Sequence, residues 1–285
     1  MTAEPRPIED SLNIPDSRGI NLFECDAGLA ALLQVYLPSA VYQQWLPTLQ
    51  HLGARAGGEL DVLALSADKN PPVLQPRTRR GENLQSIAKH PDYVTLERVA
   101  FAELGLAAMS HQPGGPPPLI KYALTYLFVQ AEFGLCCPVS MTDSLTRTLC
   151  KFGTPELVAR YLPQLQSQDF ETLFQGAMFM TEQAAGSDVS RTETRARLED
   201  GQWRLFGEKW FCSNPDADLA MVLARPEDAP PGMAGVTLFL LPKVLPDGSR
   251  NHYRIQRLKD KLGSRSMASG EITLEGATAY LIGEV

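Results

Sequence analysis

Near Gly176 the hydrophobic rhythm of the chain changes. Up to about Thr172, apolar side chains recur every three or four positions, as helices with one buried face require. Beyond Gly176 the apolar segments shorten and alternate with polar residues, as half-buried strands require. A chain that does first one and then the other folds as a helical body followed by a β body. The expected class is α+β, with a helical domain over residues 1–175 and a small antiparallel β-barrel or sandwich over 176–280.

Within the first body the punctuation sets the helices. Leu29, Leu32, Leu33 and Tyr36 give a helix from Asp26 to Leu37 that Pro38 stops. Val41, Trp45, Leu46 and Leu49 give a second from Ala40 to Leu52, which Pro47 should kink or divide. A third runs from Glu59 to Ala67 after Gly57-Gly58, and Asn70-Pro71-Pro72 opens a long loop holding Arg77, Arg79 and Arg80. Three arginines can grip phosphate, but a solvated loop is the better reading. Asp92 to Ser110 reads as one helix, and Leu119 to Phe133, apolar nearly all round, as a central buried one. Helices from Ser140 to Phe152 and from Pro155 to Gln166 follow, the latter with Thr154 as cap and Pro155 in its first turn. Residues 1 to about 20 read as an extended arm, and the lone His90 and His111 as surface or satisfied core residues.

The second body is organised around residues 176–214. An apolar run through Met178, Phe179 and Met180 ends at Thr181 and Glu182 and breaks into Ala184-Ala185-Gly186-Ser187-Asp188. Gly186 has no Cβ to hold a ligand off, and Ser187 and Asp188 favour capping a short helical turn over Val189 and Ser190. Free amides at such a turn attract anions. Thr192 to Leu198 then alternate as a strand, Asp200-Gly201 makes a hairpin, and the chain returns through Gln202 to Phe206 and Lys209 to Ser213. That return permits Ser213 to reach the level of Thr181. Two hydroxyls beside an aromatic face suit a flavin ring, although the same residues equally serve as a turn and as packing.

Composition narrows the classes. With 44% hydrophobic residues in 285 the chain can bury a substantial core, and a formal net charge of −7 argues against a nucleic-acid surface over the whole molecule. The N-terminal MTAEPRPIEDS lacks the pattern of a signal peptide, and no apolar run approaches the ~20 residues of a membrane span. The cytoplasm is the expected compartment. Cys25, Cys136, Cys137, Cys150 and Cys212 are odd in number and contain no Cys-x-x-Cys, so reduced thiols are expected rather than zinc or disulfides.

Several motifs now carry a resemblance. Met180-Thr181-Glu182 followed by Gly186-Ser187-Asp188, then Gly207-Glu208-Lys209 leading to an aromatic, a hydroxyl and Asn214, resembles the FAD-binding middle domain of acyl-CoA dehydrogenases. Residues 257–266, RLKDKLGSRS, resemble that family's Lys-Leu-Gly-x-Arg segment. Their wording, with LCCPVSMT at 135–142 and Asn70-Pro71-Pro72, is most similar to the alkylation-response, AidB-like branch. The resemblance covers most of the chain. Gln183 stands where the family commonly has proline, and Phe211 where it commonly has tryptophan.

The resemblance implies an FAD-dependent flavoprotein that removes hydrogen across the α,β bond of an acyl-CoA thioester. Met178, Met180 and Thr181 would line the flavin, Gly186 and Ser187 would approach its diphosphate, and Phe211, Cys212 and Ser213 would meet the ring, Ser213 near N5. In the family Glu182 is not the proton acceptor, so turn stabilisation or backbone hydrogen bonding is expected of it, and no residue here is assigned as catalytic. The family's C-terminal four-helix domain supplies the base, much of the cofactor clamp and the tetramer core. It would begin at residues 281–285, where the sequence stops, so negligible turnover and weakened FAD retention are expected of these 285 residues alone. The alternative is an AidB-like DNA-associated protein with vestigial dehydrogenase activity, whose DNA contact would fall to that further domain.

Overall fold

The computed structural model describes residues 18–284, so the extended arm expected at the N-terminus lies almost wholly outside the described residues. Among the described residues seven α-helices occupy the first part: α1 (Ala27–Tyr36), α2 (Ser39–Ala56), α3 (Glu59–Lys69), α4 (Pro91–Glu97), α5 (Pro118–Ala131), α6 (Cys136–Phe152) and α7 (Pro155–Leu165). Their starts follow local chemistry. Asp26 caps α1 by accepting from the Leu29 amide at 2.8 Å, His90 caps α4 through Nδ1, and Thr154 caps α7.

Three expectations fail for physical reasons. Helix α2 is not divided at Pro47 but runs as one element from Ser39 to Ala56; Pro47 lies on its exposed face, as does Gln43, whose carbonyl the proline leaves without its helical donor. The helix expected from Asp92 to Ser110 is α4 followed by a π-helical turn over Arg98–Glu103, and Gly105 at φ +60 ends it. Helix α5 is buried on one face only: Ile120, Leu124, Leu127 and Phe128 enter the core, whereas Tyr122 and Tyr126 are exposed.

The arginine-bearing loop is also ordered. Strands β1 (Val73–Arg77) and β2 (Asn83–Ala88) pair antiparallel, Val73 opposite Ala88, with Arg79 and Arg80 solvated at the turn. This hairpin belongs to the first half by sequence and to the second by packing. Ile87 joins the barrel core, and Gln85, held at φ 51, accepts from the Ile255 amide at 2.7 Å through its side-chain carbonyl.

The β body consists of β3 (Gly176–Phe179), β4 (Arg195–Glu199), β5 (Gln202–Ser213), β6 (Leu219–Pro226), β7 (Thr237–Pro242), β8 (Tyr253–Leu258) and β9 (Ser269–Ile282). The order β6-β4-β5-β9-β7 returns to β6 and closes a ring, with β3 added to β6 and β8 added to β9. Most pairings are antiparallel, but β3 and β4 each run parallel to β6. The two strands read on either side of Gly207 are one, β5, whose pairing with β9 shifts between Leu205 and Phe206 and again between Lys209 and Cys212. Gly207 has φ +142, and a Cβ there would meet Thr194 Cα at 2.9 Å, so only glycine fits.

Three apolar clusters hold the molecule. One fills the helical body around Leu49, Phe101 and Phe128; one fills the barrel around Phe179, Phe239 and Ile272; the third lies between the sheet's outer face and α6–α7, around Leu145, Leu149 and Met221. A buried polar knot ties α5 to α6, with Asp143 taking His111 Nε2 at 2.7 Å and Lys121 Nζ at 2.7 Å. His111 is thus a satisfied core residue, as its isolation in the sequence suggested.

Candidate functional site

Strand β5 returns beside the 176–182 segment. The Trp210 amide donates to Thr181 O at 2.8 Å, Lys209 Nζ reaches Met180 O at 3.4 Å, and Asn214 Nδ2 reaches Gly176 O at 3.5 Å. Thr181 and Ser213 therefore sit on neighbouring segments, and Phe211 lies on β5 between Trp210 and Ser213. Phe211 takes φ 54 and is 60% exposed, so its ring is presented to the surface rather than used as core. Thr181 and Ser213 are half-buried. Ser213 also approaches the Cys137 thiol at the start of α6; burial pushes that thiol up and the Ser213 hydroxyl draws it partly back.

The other expected contacts divide by placement. Gly186 and Ser187 lie on an exposed turn, and among the described residues nothing accepts a hydrogen bond from either amide. Asp188 caps the short helical turn Val189–Arg191 by accepting from the Ser190 amide at 3.1 Å. Met178 and Met180 are half-buried and pack toward the α6–α7 layer. Cys212 is sealed in the barrel core, where burial raises its thiol far above the ordinary range, so only its backbone can face a ligand.

What shapes the turn is a residue pair that the sequence did not reveal. Glu182 is 6% exposed and receives four donors: the Glu193 amide at 2.6 Å, the Thr194 amide at 3.2 Å, Thr194 Oγ1 at 2.6 Å and Lys209 Nζ at 2.6 Å. Burial alone would push this carboxyl up, but Lys209 and the hydrogen bonds hold it below the ordinary glutamate value. Burial likewise works against the Lys209 ammonium, and the carboxylate opposes that effect. Glu182 fixes the loop between Thr181 and Thr194, as expected of it, and so aims the Gly186-Ser187 turn. The only sequence signal was the Gly-x-Lys spacing, which says nothing about where the lysine points.

Lys259 steadies the aromatic side. Its ammonium lies 3.1 Å from the Trp210 ring centroid and 4.4 Å from that of Phe211, and pairs with Glu271 at 2.6 Å. A cavity of about 560 Å³ lies elsewhere, lined by Leu198, Trp203 and Pro226, and includes none of the residues expected to contact a flavin. Among the described residues no group of three or more His, Cys, Asp or Glu can hold a metal ion.

The chain is similar to known proteins along nearly its whole length. Residues 13–172 match the adaptive response protein AidB N-terminal domain, and residues 177–277 match the acyl-CoA dehydrogenase middle domain. The putative acyl-CoA dehydrogenase AidB of Escherichia coli K12 is 35% identical over 244 residues, 82% of this chain and 43% of that protein. The structure of Caenorhabditis elegans ACDH-11 in complex with C11-CoA superposes with a TM-score of 0.87 at 27% identity, covering 100% of this chain and 49% of that one. An acyl-CoA dehydrogenase complexed with FAD from Bacillus anthracis matches with a TM-score of 0.56 at 25% identity, over 68% of this chain and 32% of that one. The chain thus spans less than half the length of AidB and about half that of ACDH-11.

Proposed function

The chain belongs to the acyl-CoA dehydrogenase family, in its AidB-type branch, and from that premise we propose that it carries the flavin-facing half of an FAD-dependent acyl-CoA oxidation site. The observation that carries the reading is the 2.8 Å bond from the Trp210 amide to Thr181 O, which brings the Thr181 hydroxyl, the Phe211 ring and the Ser213 hydroxyl onto adjacent segments.

These residues fit the group. The unpaired amides of Gly186 and Ser187 suit an anionic diphosphate, and the exposed Phe211 face suits an isoalloxazine. Thr181, Ser213 and the half-buried Met178 and Met180 would complete the wall, with Cys212 contributing through its backbone. When bound, FAD supplies the hydride acceptor for oxidation of an acyl thioester.

This chain's own residues orient and exclude rather than transfer protons. Glu182 cannot serve as the base: its oxygens are filled by four donors and its proton affinity is lowered. The base, the acyl-chain wall and the homotetramer contacts are assigned to a further helical domain of the kind the longer relatives have room for.

The test is a titration of the purified 285-residue protein with FAD, followed by flavin fluorescence and the visible band, then addition of acyl-CoA with an electron-accepting dye. Saturable but weak binding with negligible dye reduction is expected. No binding at any FAD concentration would overturn the flavin assignment, and brisk dye reduction would overturn the assignment of the base to a further domain.

A further inference from the structure

The connection from β8 to β9 folds against the base of the β1–β2 hairpin and leaves a cavity of about 230 Å³, lined by Pro71, Lys259, Lys261, Arg265 and Ser269 among others. Asp260 and Arg265 line it from the exposed rim, and the Lys259 charge is already matched by Glu271 at 2.6 Å. Lys261 is different. Its ammonium donates to Met267 O at 2.5 Å and to Ser269 Oγ at 3.3 Å, and an ammonium has three protons to give. Among the described residues no carboxylate stands within ion-pair distance of Lys261 or of Arg265, and nothing accepts from the Arg265 guanidinium. Arg265 is instead held by its backbone, whose amide donates to Asp68 Oδ1 at 2.8 Å.

We propose that this cavity is an oxyanion site, taking one phosphate or carboxylate group between the third donor of Lys261 and the Arg265 guanidinium. Lys261 is half-buried and feels Asp68 and Glu132 only through space, with no carboxylate in ion-pair contact, so an oxyanion here would give its ammonium a direct partner. Burial depresses the Lys261 ammonium from its ordinary value, and a bound anion would restore it. Ser269 ties the cavity to the flavin-facing edge, because it lies opposite Ser213 in the β5–β9 register. The site is distinct from the Gly186-Ser187 turn and does not depend on the flavin reading.

The experiment uses the 285-residue protein without flavin, in which thermal unfolding is followed against inorganic phosphate and, separately, against succinate, with sodium chloride at matched ionic strength as reference. The midpoint should rise by a few degrees and saturate with at least one of the two anions. Lys261→Met and Arg265→Gln should each weaken the half-saturating concentration about tenfold or more, since each removes a charge-assisted hydrogen bond. Arg80→Gln, at the exposed hairpin turn, should respond as the parent does. A response to phosphate alone identifies a free inorganic oxyanion, and one to succinate alone a carboxylate carried on an organic acid; both support the site. Absence of any anion-specific shift in the parent overturns the proposal, as does an Arg265→Gln protein, folded by circular dichroism, that responds like the parent.

Discussion

The Lys209 ammonium and the Glu182 carboxylate meet at 2.6 Å with side chains 0% and 5% exposed, 27 residues apart in sequence. Neither charge has bulk water to fall back on, so the loop from Glu182 to Thr194 is locked to β5 by a pair that must be made completely or not at all. Lys209→Met leaves the carboxylate buried and short of its strongest partner. It should lower stability by about 3–5 kcal/mol in urea denaturation. The double variant Lys209→Met with Glu182→Leu should cost less than the sum of the single losses.

The same pair sets a pH dependence. Glu182 is held below its ordinary value of about 4.3 in the folded protein, so the unfolded chain binds its proton first as the pH falls. Its contribution to stability is fully present above that ordinary value and is lost as acid titrates the folded carboxylate. Urea midpoints should fall as the pH drops through and below the ordinary glutamate value, and Glu182→Gln should flatten that slope. An unchanged slope in Glu182→Gln would show that other carboxylates carry it.

Thiol reactivity should split the cysteines. Cys25, Cys137 and Cys150 are exposed and Cys136 half-buried, whereas Cys212 is fully buried with its thiol held protonated. A disulfide reagent should titrate up to four thiols in the native protein and a fifth only in denaturant. Native-state mass spectrometry showing modified Cys212 would contradict the closed barrel core.

Phe211 separates binding from folding. It is 60% exposed, so Phe211→Ala should change stability by no more than about 0.5 kcal/mol. Loss of the stacking face should weaken FAD about tenfold, and Phe211→Trp should bind at least as tightly as the parent. Equal FAD affinity in all three proteins, read by fluorescence titration, would remove Phe211 from the site.

The sequence was most legible where structure is local. The Asp200-Gly201 turn, the Thr154 cap and the change of period at Gly176 each act within a few residues, and each appears where its chemistry points. The π-helical turn at Arg98–Glu103 was invisible because its apolar spacing still suits an α-helix; what ends it is Gly105, packed beside Gln168. The β1–β2 hairpin was hidden behind its prolines and arginines, since its reason to form is the barrel it packs against. Around the candidate site the Asp188-capped turn and the return of the chain beside Thr181 were readable. The inward aim of Cys212 was not, because the pattern of β5 is shifted by irregularities between Leu205 and Phe206 and between Lys209 and Cys212.

Gln85 reaches 170 positions along the chain to occupy the Ile255 amide of β8, an outer strand of the barrel, with Ile87 plugged in behind it. A strand border left bare is adhesive to other molecules, and here the helical half supplies its own guard. Cutting the protein at residue 176 to obtain a tidy β module would strip that guard away. The excised piece should precipitate or self-associate where the two halves together stay dispersed. The boundary that looks natural in the residue string is therefore a poor place for the scissors.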